Sequence, residues 1–263
     1  MGIVSTTLEN KRLLLSPMYR TKNPALNDMV FVFQGMIEDK MTIQGVVEKG
    51  VITFGIMLLS GLSIWGLALT GSPEIAFTLS IVGWVFGFIF FFVMIFTGLA
   101  DNPIAVLTYA ALQGLFLGGT TLMFEAYYSG IAIQAFLGTT AVFGGMLIIY
   151  RTGIIPVTEN FRIAIFSAMS AIFMIYMLTL ILSLFGIGVP YIHSNGPIGI
   201  GFSILVIGIA ALCLASDFDF VEKGVENGAP KSMEWRAVFG LLVTLVWIYL
   251  EMLRLLAKLN SRR

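Results

Sequence analysis

Long apolar segments alternate with short polar ones along most of the chain. Six apolar segments cover about 51–70, 75–99, 104–124, 131–150, 163–185 and 198–217, and a seventh begins near Arg236. About twenty apolar residues in a helix are needed to cross the hydrocarbon core of a bilayer. Between Val51 and Ser216 the charged residues fall only at the borders of these segments. The pattern therefore predicts an all-α integral membrane protein with seven transmembrane helices.

The last apolar run is shorter than the others. It extends from Ala237 to Leu250 before Glu251 interrupts it, and a polar connector, Val221 to Trp235, precedes it. A run of this length suits a segment surrounded by protein as well as it suits a lipid-facing span. We therefore expect six helices around a central seventh, and whether the seventh crosses the bilayer completely stays open at this point.

Glycines within the third apolar segment predict close helix packing. Gly114 and Gly118 are four residues apart and so lie on one face of a helix. Small residues with this spacing allow the backbone of a neighbouring helix to approach closely in a membrane.

Composition agrees with a membrane protein and narrows the classes of function. Hydrophobic residues make up 58% of the 263 residues and charged residues 11%, whereas soluble domains carry roughly 25% charged residues. The net charge is zero and no basic patch is present, so a nucleic acid is not an expected partner. The sequence shows neither zinc-binding His/Glu spacing nor a serine nucleophile beside a base, so we expect no enzyme and no cofactor.

The distribution of Lys and Arg predicts how the protein lies in the bilayer. Six of these residues fall in segment 1–49, two in 151–162, three in 217–236 and four at the C-terminus. Because cytoplasmic segments are enriched in Lys and Arg, the N-terminus is expected in the cytoplasm. The predicted domains are a cytoplasmic N-terminal arm (1–49), a membrane domain (50–259) and a C-terminal tail (260–263).

Charged residues near the last two apolar runs are the candidates for chemistry. Asp217 and Asp219 end the sixth run, and Glu251 and Arg254 interrupt the seventh. Ionisable groups in a bilayer are costly, so they are expected to face protein or water. Asp217 and Asp219 are about 200° apart around a helix, so at most one of them faces the core.

Two interpretations of these charges remain open. In the first, Arg254 neutralises Glu251, which lies three residues earlier on the same helix. In the second, Asp217, Asp219 and Glu251 form a carboxylate cluster at a water-accessible site. Carboxylates close together in a medium of low dielectric titrate as one unit, and their oxygens can also bind Ca²⁺.

The second interpretation predicts a gate that responds to protons or cations. Its central groups are Asp217 and Glu251, which are also the possible Ca²⁺ ligands, and Ca²⁺ would then be a transported ion. Asp219, Thr244 and Arg254 are the supporting residues. Thr244 is included because it lies two helical turns before Glu251, on nearly the same face.

Several motifs carry a resemblance to a known family. The run from Ala135 to Gly145 (AFLGTTAVFGG) resembles the fourth-helix signature of the Bax-inhibitor-like membrane proteins, the transmembrane Bax inhibitor motif family. Asp217 followed by segments 221–223 (VEK) and 226–228 (ENG) does so as well. Segments 23–26 (NPAL) and 41–47 (MTIQGVV) resemble the bacterial, YccA-like branch, and the similarity covers most of residues 23–258.

The resemblance implies a seven-helix fold with six helices around a central seventh, in the bacterial inner (plasma) membrane. It further implies a pH-sensitive calcium leak pathway, gated by an aspartate at the end of helix six that pairs with one in helix seven. Other bacterial members restrain a membrane-bound quality-control protease, and eukaryotic members suppress cell death.

This chain departs from the paired-aspartate pattern that the resemblance implies. The first aspartate falls on Asp217 by one count and nearer Ser216 by another. The second falls on Thr244 if the alignment has no insertion, or on Glu251 if seven residues are inserted. Two functions therefore stay open: a cation leak pathway, or a non-conducting regulator of a membrane protein complex such as a quality-control protease.

Overall fold

Seven long helices account for most of the residues that the computed structural model describes, residues 39–186 and 195–262. In chain order they are α1 (Ile43–Leu69), α2 (Pro73–Thr97), α3 (Pro103–Tyr127), α4 (Ile131–Arg151), α5 (Glu159–Leu184), α6 (Pro197–Glu226) and α7 (Met233–Asn260). A short 3-10 helix, Leu99–Asp101, connects α2 and α3. The chain divides into units 1–40 and 41–263, and all seven helices lie in the second.

Each of the seven helices is long and apolar enough to cross a membrane. The shortest has 21 residues and the longest 30, which corresponds to roughly 30–45 Å along the helix axis. The hydrocarbon core of a bilayer is about 30 Å thick. The predicted all-α fold with seven membrane spans is therefore confirmed.

Side chains at the start of several helices satisfy backbone groups that have no partner within the helix. The Asn102 side chain accepts hydrogen bonds from the backbone N–H groups of Ile104 and Ala105, and Pro103 occupies the first turn of α3. Thr158 accepts one from the N–H of Phe161 in α5. Such caps fix where each helix begins, because the first four N–H groups otherwise need another acceptor.

Helix α1 begins at Ile43 rather than near residue 51. The side chain of Thr42 caps it by accepting a hydrogen bond from the Gly45 N–H. Hydropathy missed these first turns because Gln44, Glu48 and Lys49 interrupt their apolar residues. Residues 1–38 of the predicted arm lie outside the described residues, so the arm stays a prediction.

Helix α6 is longer than predicted, and the polar connector is largely helical. The helix continues to Glu226 instead of ending near residue 217, so the loop before α7 is confined to residues 227–232. The added turns are amphipathic: Phe218 and Val221 are buried, whereas Glu222 and Lys223 are exposed. A search for apolar runs ends the predicted helix where charged residues first appear, so these added turns were not predicted.

The central position of α7 is visible from its contacts with all six other helices. Its backbone packs beside those of α1, α3, α4 and α6. Side chains join it to the other two: the ring of Phe239 lies 6.1 Å from that of Phe91 on α2, and Glu251 bonds to Tyr176 on α5. With 28 residues, or about 42 Å, α7 is also long enough to cross the bilayer completely.

Polar contacts show which helix ends share a side of the protein. Glu234 at the start of α7 bonds to Thr42 at the start of α1. Arg236 bonds to Asp101 after α2, and Tyr150 near the end of α4 bonds to Glu222 near the end of α6. We call this side the N-terminal face, and the side where α7 ends the C-terminal face.

Small residues bring α1 and α2 into close contact with α3. A Cβ atom on Gly118 would lie 2.6 Å from the carbonyl oxygen and 2.9 Å from the Cα atom of Gly61 on α1. A Cβ atom on Gly83 of α2 would lie 2.7 Å from the Leu112 carbonyl oxygen. The close packing predicted from Gly114 and Gly118 is thus confirmed, and it places α3 among the most buried helices.

Replacing Gly118 with alanine should destabilise the protein. The added methyl group would meet the α1 backbone, which cannot move aside without separating the helices. Overpacking of this kind costs about 1–3 kcal/mol, so the melting temperature in detergent should fall. Gly144→Ala is the matched control, because its Cβ atom would have no neighbour within 4 Å. Equal melting temperatures for the two variants would contradict the close approach.

Candidate functional site

Asp217 faces the central helix from α6. The hydroxyl of Thr244 on α7 donates a hydrogen bond to Asp217 Oδ2 at 2.7 Å. Gly240 lies one turn earlier on α7, and a Cβ atom there would be 3.6 Å from Asp217 Oδ1. The carboxylate therefore lies between two helices, against a threonine and a glycine.

Glu251 is almost completely buried, with an exposed fraction of 1%. Its Oε1 atom accepts a hydrogen bond from the hydroxyl of Tyr176 on α5 at 2.8 Å, and one from Arg254 at 2.6 Å. The Arg254 guanidinium also lies 5.1 Å from the centre of the Tyr176 ring. The structure thus contains the Glu251–Arg254 pair of the first interpretation, together with a tyrosine that the sequence did not indicate.

The structure does not bring Asp217 and Glu251 together. Asp217 bonds to α7 at Thr244, and Glu251 lies seven residues further along that helix. Seven residues correspond to about 10 Å along a helix axis, whereas Ca²⁺ binds oxygen ligands at about 2.3–2.6 Å. Among the described residues no hydrogen bond or shared partner joins the two carboxylates, so their contacts do not support the predicted joint Ca²⁺ site, which stays a prediction.

Asp219 lies away from this site, so the predicted cluster of three carboxylates does not form. It makes ion pairs with Arg162 at the start of α5 and with Lys223 one turn later on α6. The reason is helix geometry: two residues along α6 turn the side chain by about 200°. Asp219 therefore links α5 to α6 at the N-terminal face. Among residues 39–186 and 195–262, no group of three or more His, Cys, Asp or Glu residues could hold a metal ion.

A third buried acid, Glu234, was missed in the sequence. Its carboxylate has no exposed surface and accepts hydrogen bonds from the backbone N–H of Thr42 at 2.8 Å and from the Thr42 hydroxyl at 3.1 Å. It also pairs with Lys49 of α1, whose amino group lies 5.5 Å from the Trp235 ring. These contacts join the start of α7 to the start of α1. In the sequence Glu234 is only a lone acid at the edge of an apolar run, so nothing there marked it as buried.

Lys258 holds the other end of α7 and was also missed. Its amino group, in a residue that is 9% exposed, donates to the Gly199 carbonyl oxygen at 2.8 Å and to the Ser203 hydroxyl at 2.9 Å. Both acceptors belong to the first turns of α6. The C-terminal face is thus closed by a lysine and by the Glu251–Arg254–Tyr176 contacts.

Asp217 differs from the buried acids Asp219, Glu234 and Glu251 in its partners. Asp219, Glu234 and Glu251 each pair with a Lys or Arg. Asp217 has a neutral partner, Thr244, and no ion pair within the part of the chain that the structure describes. A carboxylate without a countercharge is the group that a proton or a cation would neutralise. This arrangement makes Asp217 the candidate for binding either.

Comparison with family models supports the resemblance inferred from the motifs. The model described as Bax inhibitor 1 like matches residues 15–261. Comparison with curated proteins gives no significant match, and comparison with solved structures gives none either.

Replacing Thr244 with valine should destabilise the contact between α6 and α7. The half-buried carboxylate of Asp217 would lose its hydroxyl donor. A hydrogen bond to a charged group contributes about 1.5–3 kcal/mol, and thermal unfolding in detergent should show this loss.

Thr78→Val on α2 is the control, because the Thr78 hydroxyl is exposed and bonds only to its own helix, at the Glu74 carbonyl oxygen. If Thr244→Val and Thr78→Val unfold at the same temperature, the hydroxyl–carboxylate contact does not contribute to stability.

Proposed function

Because the chain belongs to the Bax inhibitor 1 like family and has seven membrane-spanning helices, we propose that it is a pH-sensitive leak pathway for calcium or other cations. Asp217 is the proton- and cation-binding group of this pathway. The observation that carries the proposal is that Asp217 faces the central helix with a hydroxyl partner and, among the described residues, no cationic one. Protons and cations would then compete for one carboxylate, which would make the flux depend on pH.

The surroundings of Asp217 suit weak and reversible binding. A pathway conducts only if its sites bind an ion well enough to admit it and weakly enough to release it. Ca²⁺ takes six to eight oxygen ligands, and here the protein offers the Asp217 carboxylate and the Thr244 hydroxyl, so water would supply most of the others. Such a site passes ions on rather than storing them.

Glu251 has a different part in this proposal, because its charge is already neutralised. It joins α7 to α5 through Tyr176 and holds Arg254 beside the tyrosine ring. Apart from this contact, α5 packs its backbone only against α6 in the described chain. Glu251 would therefore control the pathway by fixing the position of α5.

The same proposal includes a cellular location, a branch of the family and an orientation in the membrane. The placement in a bacterial inner membrane and the YccA-like branch rest on the motifs at 23–26 and 41–47. The cytoplasmic position of the N-terminus rests on the Lys and Arg distribution.

Calcium flux into proteoliposomes should depend on pH in the wild-type protein and lose this dependence in Asp217→Asn. Asparagine has the size of the aspartate but no titrating proton, so its flux should stay constant between pH 6 and pH 8, a range of about two units around neutrality. Glu251→Gln should change the rate but keep the pH dependence. Glu222→Gln is the control, because Glu222 is exposed near the end of α6, on the N-terminal face of the protein. Wild-type flux equal to that of empty vesicles would refute the proposal.

A second candidate function is a non-conducting regulator of a membrane protein complex, such as a membrane-bound quality-control protease. One observation favours it: Thr244 stands opposite Asp217, at the position where one of the two alignments places the second aspartate. A carboxylate–hydroxyl pair lacks the second titrating group that a shared proton needs.

If the protein acts as a regulator, deletion of residues 1–40 should relieve restraint of the protease. The measurement is the degradation rate of a membrane substrate in vesicles that contain the protease and either the full chain or the deletion variant. The regulator function would be supported by slow degradation with the full chain and fast degradation with the deletion variant, provided that both insert equally. Equal rates with the full chain and with no added protein would refute it.

A further inference from the structure

A deep crevice lies between α1 and α4, with a volume of about 610 Å³. The backbones of α1 and α4 do not contact each other in the described chain, and α3 and α7 form the floor between them. The gap follows from the packing on either side. Gly61 holds α1 close to Gly118 of α3, while Gly138 holds α4 close to Met252 of α7.

The lining of the crevice suits an apolar occupant. The described residues of the lining include no charged side chain, and most of their polar groups already bond within the protein. Tyr249 bonds to Thr121 at 2.9 Å, and the Trp65 indole donates to the Gly118 carbonyl oxygen at 3.2 Å. The Thr140 hydroxyl donates to its own helix.

Thr139 is the exception among the described lining residues, because its buried hydroxyl has no hydrogen-bond partner. A threonine in a helix can turn its hydroxyl toward the carbonyl group one turn earlier. The crevice therefore offers no set of polar groups that would hold water or an ion.

The surroundings of the crevice indicate what fills it. Its walls are the middle part of α1 and the first half of α4, both within membrane-spanning helices. At its edges it is continuous with exposed apolar residues that face the bilayer, such as Leu62 and Ile133. Protein interiors are packed as densely as organic crystals, so a space of this size next to hydrocarbon would not stay empty.

We infer that the crevice between α1 and α4 is a binding site for one acyl chain of a membrane lipid. The chain enters sideways from the bilayer and lies against the floor formed by α3 and α7. A volume of 610 Å³ lies within the range of about 300–1,000 Å³ that is usual for small-molecule sites. The site is distinct from Asp217, because Leu245 and Val246 face the crevice while Thr244 faces α6.

Tryptophan fluorescence can test this inference, because the chain has a reporter inside the crevice and one outside it. Trp65 lines the crevice, whereas Trp84 on α2 is 51% exposed and does not. Two variants would each keep one of these tryptophans, with the other three of the four replaced by phenylalanine. The probe is phosphatidylcholine with brominated acyl chains, which quenches nearby indoles, titrated into delipidated protein in detergent.

Half-quenching of Trp65 should need about tenfold less brominated lipid than half-quenching of Trp84, a difference of ~1.4 kcal/mol in binding free energy. Thr140→Phe should remove this preference, because Thr140 lines the crevice and a phenyl ring there would occupy it. Leu137→Phe is the matched control on the same helix, since Leu137 is 60% exposed and lies outside the lining.

Equal quenching curves for Trp65 and Trp84 would overturn the inference, because the crevice would then hold lipid no more tightly than the rest of the surface. So would a Thr140→Phe variant that behaves like Leu137→Phe. If Thr140→Phe does not fold, Ala132→Leu fills the same crevice from the start of α4 and should give the same loss.

Discussion

Charges on a helix at the centre of a membrane protein must be neutralised or hydrogen-bonded within the protein, and α7 shows how this constraint shapes the fold. Five charged residues lie on α7: Glu234, Arg236, Glu251, Arg254 and Lys258. Each bonds to another residue, and four of them reach a neighbouring helix or turn. Removing one partner from a buried pair costs about 3–5 kcal/mol. The same contacts that make the charges tolerable therefore hold the ring of helices around α7.

Asp217 does not share this pattern, and the proposed function rests on the difference. Asp219, Glu234 and Glu251 each have a Lys or Arg partner, and their bonds connect neighbouring helices. Asp217 bonds only to a hydroxyl among the described residues. Its charge state can change without the loss of an ion pair, and this is what a proton- or cation-responsive group requires.

Packing between the helices follows a second constraint, which is the need to fill space without a hydrophobic driving force between helices in lipid. Close backbone contact at Gly61 and Gly118 joins α1 to α3, and Gly138 allows α4 to approach α7. These two close contacts, one on each side, leave the crevice between α1 and α4. In our inference an acyl chain from the bilayer fills this space. Polar bonds thus fix the centre of the protein, whereas small residues and lipid shape its outer layer.

The sequence by itself determined the number and class of the helices, because a bilayer requires about twenty apolar residues per span. It also indicated the close contact at Gly118 and the Glu251–Arg254 pair, since both depend on spacing within one helix. It could not show that α1 begins at Ile43 or that α6 reaches Glu226, because amphipathic turns outside the hydrocarbon lack an apolar run. Only the tertiary structure placed Thr244 against Asp217, Tyr176 against Glu251 and Lys49 against Glu234. These contacts join residues far apart in sequence, and they depend on how each helix is rotated and shifted against the next, which helical periodicity does not specify.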